Sequence, residues 1–292
     1  MQHQMETHKK LSRACLALFI FAFALGSCSS KEKESTVADK YGSQSGLSNS
    51  KLQSLSPSLR LRGLNEACKE SQKNCGALSQ EYINDPDKRI RIQAFINLAQ
   101  LKHSPALDPA LKHLPKADTE ELQYIAAFFN ALGGQGFEKL SSHLLRVPDD
   151  EKSGYYRILP MMLDEFVDYM QKRLANEPEQ KHHEIYRIIG LTESPKGTPI
   201  FLNLLQSDSL GGLASEYLPK IKDKNIVVEV NRLLRQELVR RKSSIIILRL
   251  IEILGKIGNS DSAEILSEMH NHPVKMIAES SQKALFRITN KL

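Results

Sequence analysis

The hydrophobic and polar positions divide the chain into three parts. Residues 14–25 are almost entirely apolar, and residues 29–55 are rich in Ser, Gly, Lys and Gln. From Pro57 onward, apolar residues recur at intervals of three and four, which places them on one face of an α-helix. The pattern predicts an N-terminal segment (1–27), a connector (28–56) and a helical region (57–292).

The clearest periodic stretch predicts a helical hairpin. Asp85-Pro86-Asp87 offers an N-cap with proline at the first helical position, and Ser104-Pro105 interrupts the pattern after the first helix. The predicted apolar faces are Ile90, Ala94, Phe95, Leu98 and Leu101 in the first helix, and Leu107, Leu111 and Leu114 in the second.

The same pattern repeats along the helical region. A residue equivalent to Leu98 recurs at Leu132, Ile189, Leu218, Leu254 and Leu285. The long gap before Ile189 holds one divergent unit around residues 155–174, which Pro160 interrupts, and residues 57–83 form an additional first hairpin. We therefore predict about seven helical hairpins stacked in a row.

The order of residues in this unit resembles the HEAT-like repeat, particularly the short type known from phycobilin lyases. The matching residues are Ile90, Arg91, Ala94, Leu98 and Leu101, followed by the Ser-Pro turn and a second leucine-bearing helix. The resemblance implies an all-α fold, an α-solenoid of about seven HEAT-like helical hairpins. Later units depart from the family at the position of Arg91, where they have Gly211, Ile247 and Ala278. No bilin-lyase chemistry carries over.

The N-terminal segment combines a basic start with a short apolar run that ends in Leu25-Gly26-Ser27-Cys28. About a dozen apolar residues are too few to span a membrane and are typical of an export signal. The four residues resemble the lipobox of bacterial lipoproteins, which implies cleavage before Cys28 and covalent lipid on its sulfur. The alternatives are an ordinary secretory signal and an uncut signal anchor.

The lipoprotein resemblance also implies a location. The chain is expected to be lipid-anchored in the bacterial cell envelope, and Ser29 after the cysteine points to the outer membrane, facing the periplasm. Residues 29–55 have too few apolar side chains to fold, so we expect a flexible tether spanning about 30 Å. No cofactor is expected beyond the lipid on Cys28.

Charge adds little to this picture. The chain has 40 Lys and Arg and 34 Asp and Glu. Three of the basic residues and one acidic residue lie in the first 27, which leaves 37 and 33 in the rest, or a net charge of +4. That balance is too mild and too interspersed to favour a nucleic-acid partner.

Two cysteines remain in the helical region. Cys68 and Cys75 fall at the end of the first predicted helix and the start of the second. In an oxidising compartment this even pair predicts a disulfide that fastens the first hairpin. The alternative is two free, partly buried thiols.

Two clusters are candidates for binding a partner. The basic cluster straddles a turn between units and suits an acidic protein, lipopolysaccharide phosphate or peptidoglycan carboxylate; the alternative is a solvated helix end. The aromatic cluster lies in the divergent unit, where the alternative is core packing. The basic cluster is Arg232, Arg235, Arg240, Arg241, Lys242 and Arg249, and the aromatic cluster is Tyr155, Tyr156, Phe166 and Tyr169.

The sequence offers no catalytic motif, so we do not expect an enzyme. The histidine pairs His182-His183 and His270-Asn-His272 lie at predicted helix ends and are expected to bind no metal. The predicted function is a membrane-anchored periplasmic scaffold or adaptor lipoprotein that binds an envelope protein through its solenoid surface. The alternatives are an envelope protein that binds peptidoglycan or lipopolysaccharide through the basic cluster, and a cryptic enzyme.

Overall fold

A computed structural model describes residues 56–240 and 243–290. Within these ranges the chain forms fifteen α-helices and five short 3-10 helices, and it has no β-strand. The prediction of an all-α fold is confirmed. The lipobox and the connector before Ser56 lie outside the described residues, as do Arg241 and Lys242.

The helices are short, most of them two to four turns long. In chain order they are α1 Pro57–Glu70, α2 Gln72–Tyr82, α3 Lys88–Leu101, α4 Leu107–His113, α5 Thr119–Leu132, α6 Gly134–Leu144, α7 Asp149–Tyr156, α8 Asp164–Leu174, α9 Glu179–Leu191, α10 Gly197–Leu204, α11 Gly211–Tyr217, α12 Ile226–Arg240, α13 Ser244–Ile257, α14 Ser260–Glu268 and α15 Lys275–Thr289.

Alternate helices pack against one another. The odd-numbered helices contact their next odd-numbered neighbours, with α7 contributing through the 3-10 turn Leu159–Met161 that follows it. Among the even-numbered helices, α4 contacts α6, α6 contacts α8, and α12 contacts α14. The odd-numbered helices therefore form one row of neighbouring helices, and the even-numbered helices lie in a second row.

The repeat positions predicted from the sequence mostly lie in the core. Leu98, Ile189, Leu218 and Leu254 are fully or almost fully buried. Leu132 and Leu285 are only partly buried and pack against the edge of the core. Phe95, Phe128, Phe129, Phe166 and Phe201 are the largest of the fully buried side chains.

One predicted helix start is displaced by two residues. We expected Asp85 to cap a helix with Pro86 at its first position, but α3 begins at Lys88 and its N-cap is Asp87. The Asp87 carboxylate accepts a hydrogen bond from the backbone N–H of Arg89 at 2.9 Å. Asp85 is buried instead, where it binds a side chain from α1.

Buried ion pairs join the first helices. Arg60 of α1 donates two hydrogen bonds to the carboxylate of Asp85, at 2.7 and 2.8 Å. Arg91 of α3 donates to Glu121 of α5 at 2.5 Å and also to the backbone carbonyl of Asp85 at 2.7 Å. Asp85 therefore accepts from two helices, and these bonds fix α1, α3 and α5 relative to one another.

Candidate partner-binding surface

The outer face of α12 carries a stripe of apolar and basic side chains. Val228, Arg232, Arg235 and Val239 are spaced at four, three and four residues, so they project within about 60° of one another around the helix. Val228 is 62% exposed and Val239 is 84% exposed. We call these four residues the α12 stripe; it extends over about 16 Å along the helix.

The opposite face of α12 explains why the stripe faces outward. Ile226, Val230 and Leu234 are buried in the core, and Asn231 accepts a hydrogen bond from the hydroxyl of Ser262 on α14 at 2.9 Å. These contacts fix the rotation of the helix about its axis. The stripe is therefore held on the surface by the packing of the other side.

The stripe keeps positive charge available. Arg232 binds Glu229 of its own helix at 2.8 Å, an exposed pair that contributes little to stability. Arg235 is exposed and has no ion pair or hydrogen bond within the described ranges. Arg240 lies beside the stripe, 3.6 Å from Glu237.

The neighbouring helix of the same row has the opposite charge. Asp261, Glu264 and Glu268 of α14 are exposed and, among the residues that the structure describes, form no ion pair. The valines and the acidic side chains of α14 were not predicted from the sequence. The spacing of Val228 and Val239 carried the signal, because both fall on the polar side of an otherwise regular helix.

Arg249 does not belong to this surface. Its guanidinium donates hydrogen bonds to the backbone carbonyls of Leu205 and Ser207, at 2.7 and 2.8 Å, and to that of Asp208 at 3.3 Å. It lies directly over Gly211, where an added Cβ would be only 2.0 Å from Nη1. Arg249 therefore binds the chain between α10 and α11, in space that the glycine leaves open.

The aromatic cluster is divided between separate helices. Tyr155 and Tyr156 lie on α7, whereas Tyr169 lies on α8, and Phe166 is fully buried. The Tyr155 ring packs edge-on against His143, with ring centroids 4.6 Å apart. Phe166 contributes to the core rather than to a binding surface.

Tyr156 belongs to a network between α7 and α9. Its hydroxyl donates to Glu184, which also pairs with Lys152 at 3.0 Å, and the guanidinium of Arg187 lies 5.3 Å from the centre of its ring. Burial and the bond to the Glu184 carboxylate raise the pKa of Tyr156 above its usual range. The tyrosine is neutral at physiological pH and joins two helices.

Tyr169 belongs to a second network, between α6 and α8. Its hydroxyl donates to Glu138, and Arg173 donates to the hydroxyls of Ser141 and Ser142 at 2.7 and 3.0 Å. Hydrogen bonds from Ser142 and Tyr169 lower the pKa of Glu138. This network borders an open groove of about 620 Å³ between α4 and α6.

The cysteines and two of the histidines make contacts within the protein. Cys68 and Cys75 form a disulfide between α1 and α2. His182 bonds to the carbonyl of Glu177, and His272 accepts from the backbone N–H of Val274. Across residues 56–240 and 243–290, no three His, Cys, Asp or Glu side chains come together in a way that could hold a metal ion.

No protein-family model matches the chain, and no curated protein matches it in sequence. Among the described helices, none is long and apolar enough to cross a membrane.

Proposed function

We propose that the protein is a membrane-anchored periplasmic scaffold or adaptor lipoprotein that binds an envelope protein through the outer surface of its helical repeats. The lipobox supports the anchor and the location. The alternating contacts among α1 to α15 support an α-solenoid of HEAT-like hairpins. Such arrays bind partners along extended surfaces.

The α12 stripe carries the proposal for binding. It combines two strongly exposed valines with two arginines on one face of a firmly packed helix. Arginine is enriched in protein interfaces and among their energetically important residues, and the exposed valines beside it offer apolar surface that a partner can bury. The partner we propose is an acidic envelope protein with apolar residues beside its carboxylates, because such a surface complements both parts of the stripe.

Binding rather than catalysis fits the roles of two carboxylates in the described helices. Glu121 accepts from Arg91, and Glu184 accepts from Tyr156 and Lys152. Each of these carboxylates is occupied in holding two helices together. The raised pKa of Tyr156 is thus accounted for by burial and by a hydrogen bond between helices.

The test is affinity purification from crosslinked, detergent-extracted membranes. Arg232→Glu combined with Arg235→Glu should abolish recovery of a protein captured by the natural chain, because the stripe reverses its charge. The matched control is Arg146→Glu with Lys172→Glu, which changes the charge equally at exposed positions away from α12. Equal loss in both variants would contradict a specific role for the stripe.

The anchor is tested in the same experiment with Cys28→Ala. We expect the variant to leave the membrane fraction and to lose the partner under dilute conditions, because the lipid no longer holds it near the membrane. Unchanged membrane recovery of the Cys28→Ala chain would contradict the lipoprotein assignment.

A second candidate function is binding of peptidoglycan or lipopolysaccharide through the exposed arginines of the basic cluster, Arg232 and Arg235. The lack of a partner for Arg235 among the described residues favours it, because a free guanidinium suits phosphate and carboxylate groups. In that case the natural chain should sediment with purified sacculi, or bind lipopolysaccharide, at low salt and not at high salt. Capture of one protein at a fixed ratio would instead favour the adaptor.

A further inference from the structure

The last described helix presents a second unpartnered face. In α15, Met276 and Phe286 are large apolar residues that are 60% and 68% exposed. Glu279 and Lys283 lie between them on the same side of the helix. These four residues, which we call the α15 face, are spaced at three, four and three residues, the repeat of a coiled-coil seam.

The α15 face lies opposite the side that holds the helix in place. Ile277, Ser281, Ala284 and Ile288 are buried, and the helix packs on α13 and α14. Met276 and Phe286 therefore project away from the core, with two opposite charges between them. Exposed apolar side chains bordered by charged ones are features of a surface to which another protein binds.

The α15 face is complementary to a second copy of itself that runs in the opposite direction. In that arrangement an apolar residue lies opposite an apolar residue, and an acidic residue lies opposite a basic one. Met276 and Phe286 lie equally far from residue 281, and so do Glu279 and Lys283. If two copies of α15 pack antiparallel about a twofold axis, Met276 meets Phe286 of the second copy. Glu279 then meets Lys283 of the second copy. Every contact occurs twice, as an isologous interface requires.

The charges of the α15 face are free to form those contacts. Lys283 has no ion pair or hydrogen bond in the part of the chain that the structure describes. Glu279 has only a long contact of 3.7 Å with Lys275, whose side chain is 89% exposed. Such a pair is weak and readily exchanged.

We propose that the protein forms a homodimer through antiparallel packing of the α15 face against that of a second copy. One pair of helices buries less surface than a standard stable interface, so the dissociation constant should be about micromolar. The dimer is independent of the proposed adaptor function, because it uses α15 and not the α12 stripe.

Charge reversal tests the register. Sedimentation of the full-length chain in detergent should give a monomer–dimer equilibrium. Glu279→Lys should weaken it about tenfold, because two Lys–Lys contacts replace two ion pairs. Lys283→Glu should weaken it equally, and the combined variant Glu279→Lys, Lys283→Glu should restore it. Failure of the double variant to restore the dimer would contradict the antiparallel register.

Crosslinking tests the same register directly, in a chain with Cys15→Ser and Cys28→Ser. Met276→Cys combined with Phe286→Cys should give a disulfide-linked dimer on mild oxidation. Either substitution alone should not, because residues 276 of the two copies would lie about 15 Å apart. Strong crosslinking of the single variants would overturn the proposal.

The dissociation constant of the homodimer tests whether a second copy of the chain, rather than a different protein, covers the α15 face. Phe286→Ala should raise it without lowering the melting temperature, since the ring is mostly exposed; Val239→Ala on α12 is the control. A natural chain that stays monomeric at about 100 µM, well above the expected constant, would overturn the dimer. Recovery of envelope partners through the α12 stripe would be unaffected by that result.

Discussion

The first helices and the last helices of the described region use charged residues differently. Between α1 and α5, arginine side chains pair with carboxylates from other elements, as Arg60 of α1 does with Asp85 in the loop before α3 and Arg91 of α3 does with Glu121 of α5. Between α12 and α15, the ion pairs of Arg232, Arg240 and Lys275 each lie within one helix on the surface. The first arrangement fixes helices in place, whereas the second leaves charge available to a partner.

Removing a buried partner should have the largest effect on stability. Asp85→Ala leaves the guanidinium of Arg60 buried without its carboxylate, so we expect a loss of about 3 to 5 kcal/mol. Urea unfolding of the two chains measures it. The control is Glu264→Ala on α14, which should change stability by less than about 0.5 kcal/mol. Similar losses in both would remove the distinction between the two regions.

The disulfide adds to the firmness of the first region. Cys68→Ser with Cys75→Ser should lower the free energy of unfolding by about 2 to 3 kcal/mol, because the cysteines are seven residues apart and close a short loop. Thermal unfolding of the natural chain with and without reductant gives an independent value. A double variant as stable as the oxidised natural chain would contradict this prediction.

Arg249 is an arginine of the later helices that holds the structure together, so it can be compared directly with the exposed Arg235. Arg249→Ala should cost about 1 to 3 kcal/mol, since three backbone carbonyls lose their donor. Arg235→Ala should cost almost nothing, because that side chain is exposed and unpaired within the described ranges. Denaturant unfolding of the two variants measures both free-energy changes. Equal losses of stability would contradict the assignment of a structural role to Arg249 and not to Arg235.

The N-cap of α3 gives a smaller effect that depends on pH. The hydrogen bond from Arg89 lowers the pKa of Asp87 to about 2. A carboxylate with a lowered pKa stabilises the folded state above its unfolded pKa, near 4, and this contribution is lost as the pH falls from about 4 to about 2. Asp87→Ala should therefore cost about 1 kcal/mol at pH 7 and much less at pH 2. Unfolding measured at both values tests this; a constant difference would contradict it.

The sequence predicted the helices better than it predicted the roles of charged residues. Apolar spacing located the buried face of α3 and the interrupted unit at Pro160, because burial follows the period of the helix. It could not assign Asp85, whose partner Arg60 lies 25 residues earlier in the chain. It grouped Arg249 with Arg235 because they are close in sequence, although the contacts of Arg249 are more than 40 residues away.

The bond from Arg249 also bears on how such a chain could evolve by duplication. Units that contact only their immediate neighbours can be inserted or lost with little consequence. Here α13 completes the end of α10 and depends on a glycine at the start of α11. Deleting α12 and α13 together would leave carbonyl groups near Leu205 without a donor. If helices were gained or lost by duplication, we would expect the segment from α10 to α13 to change as one unit.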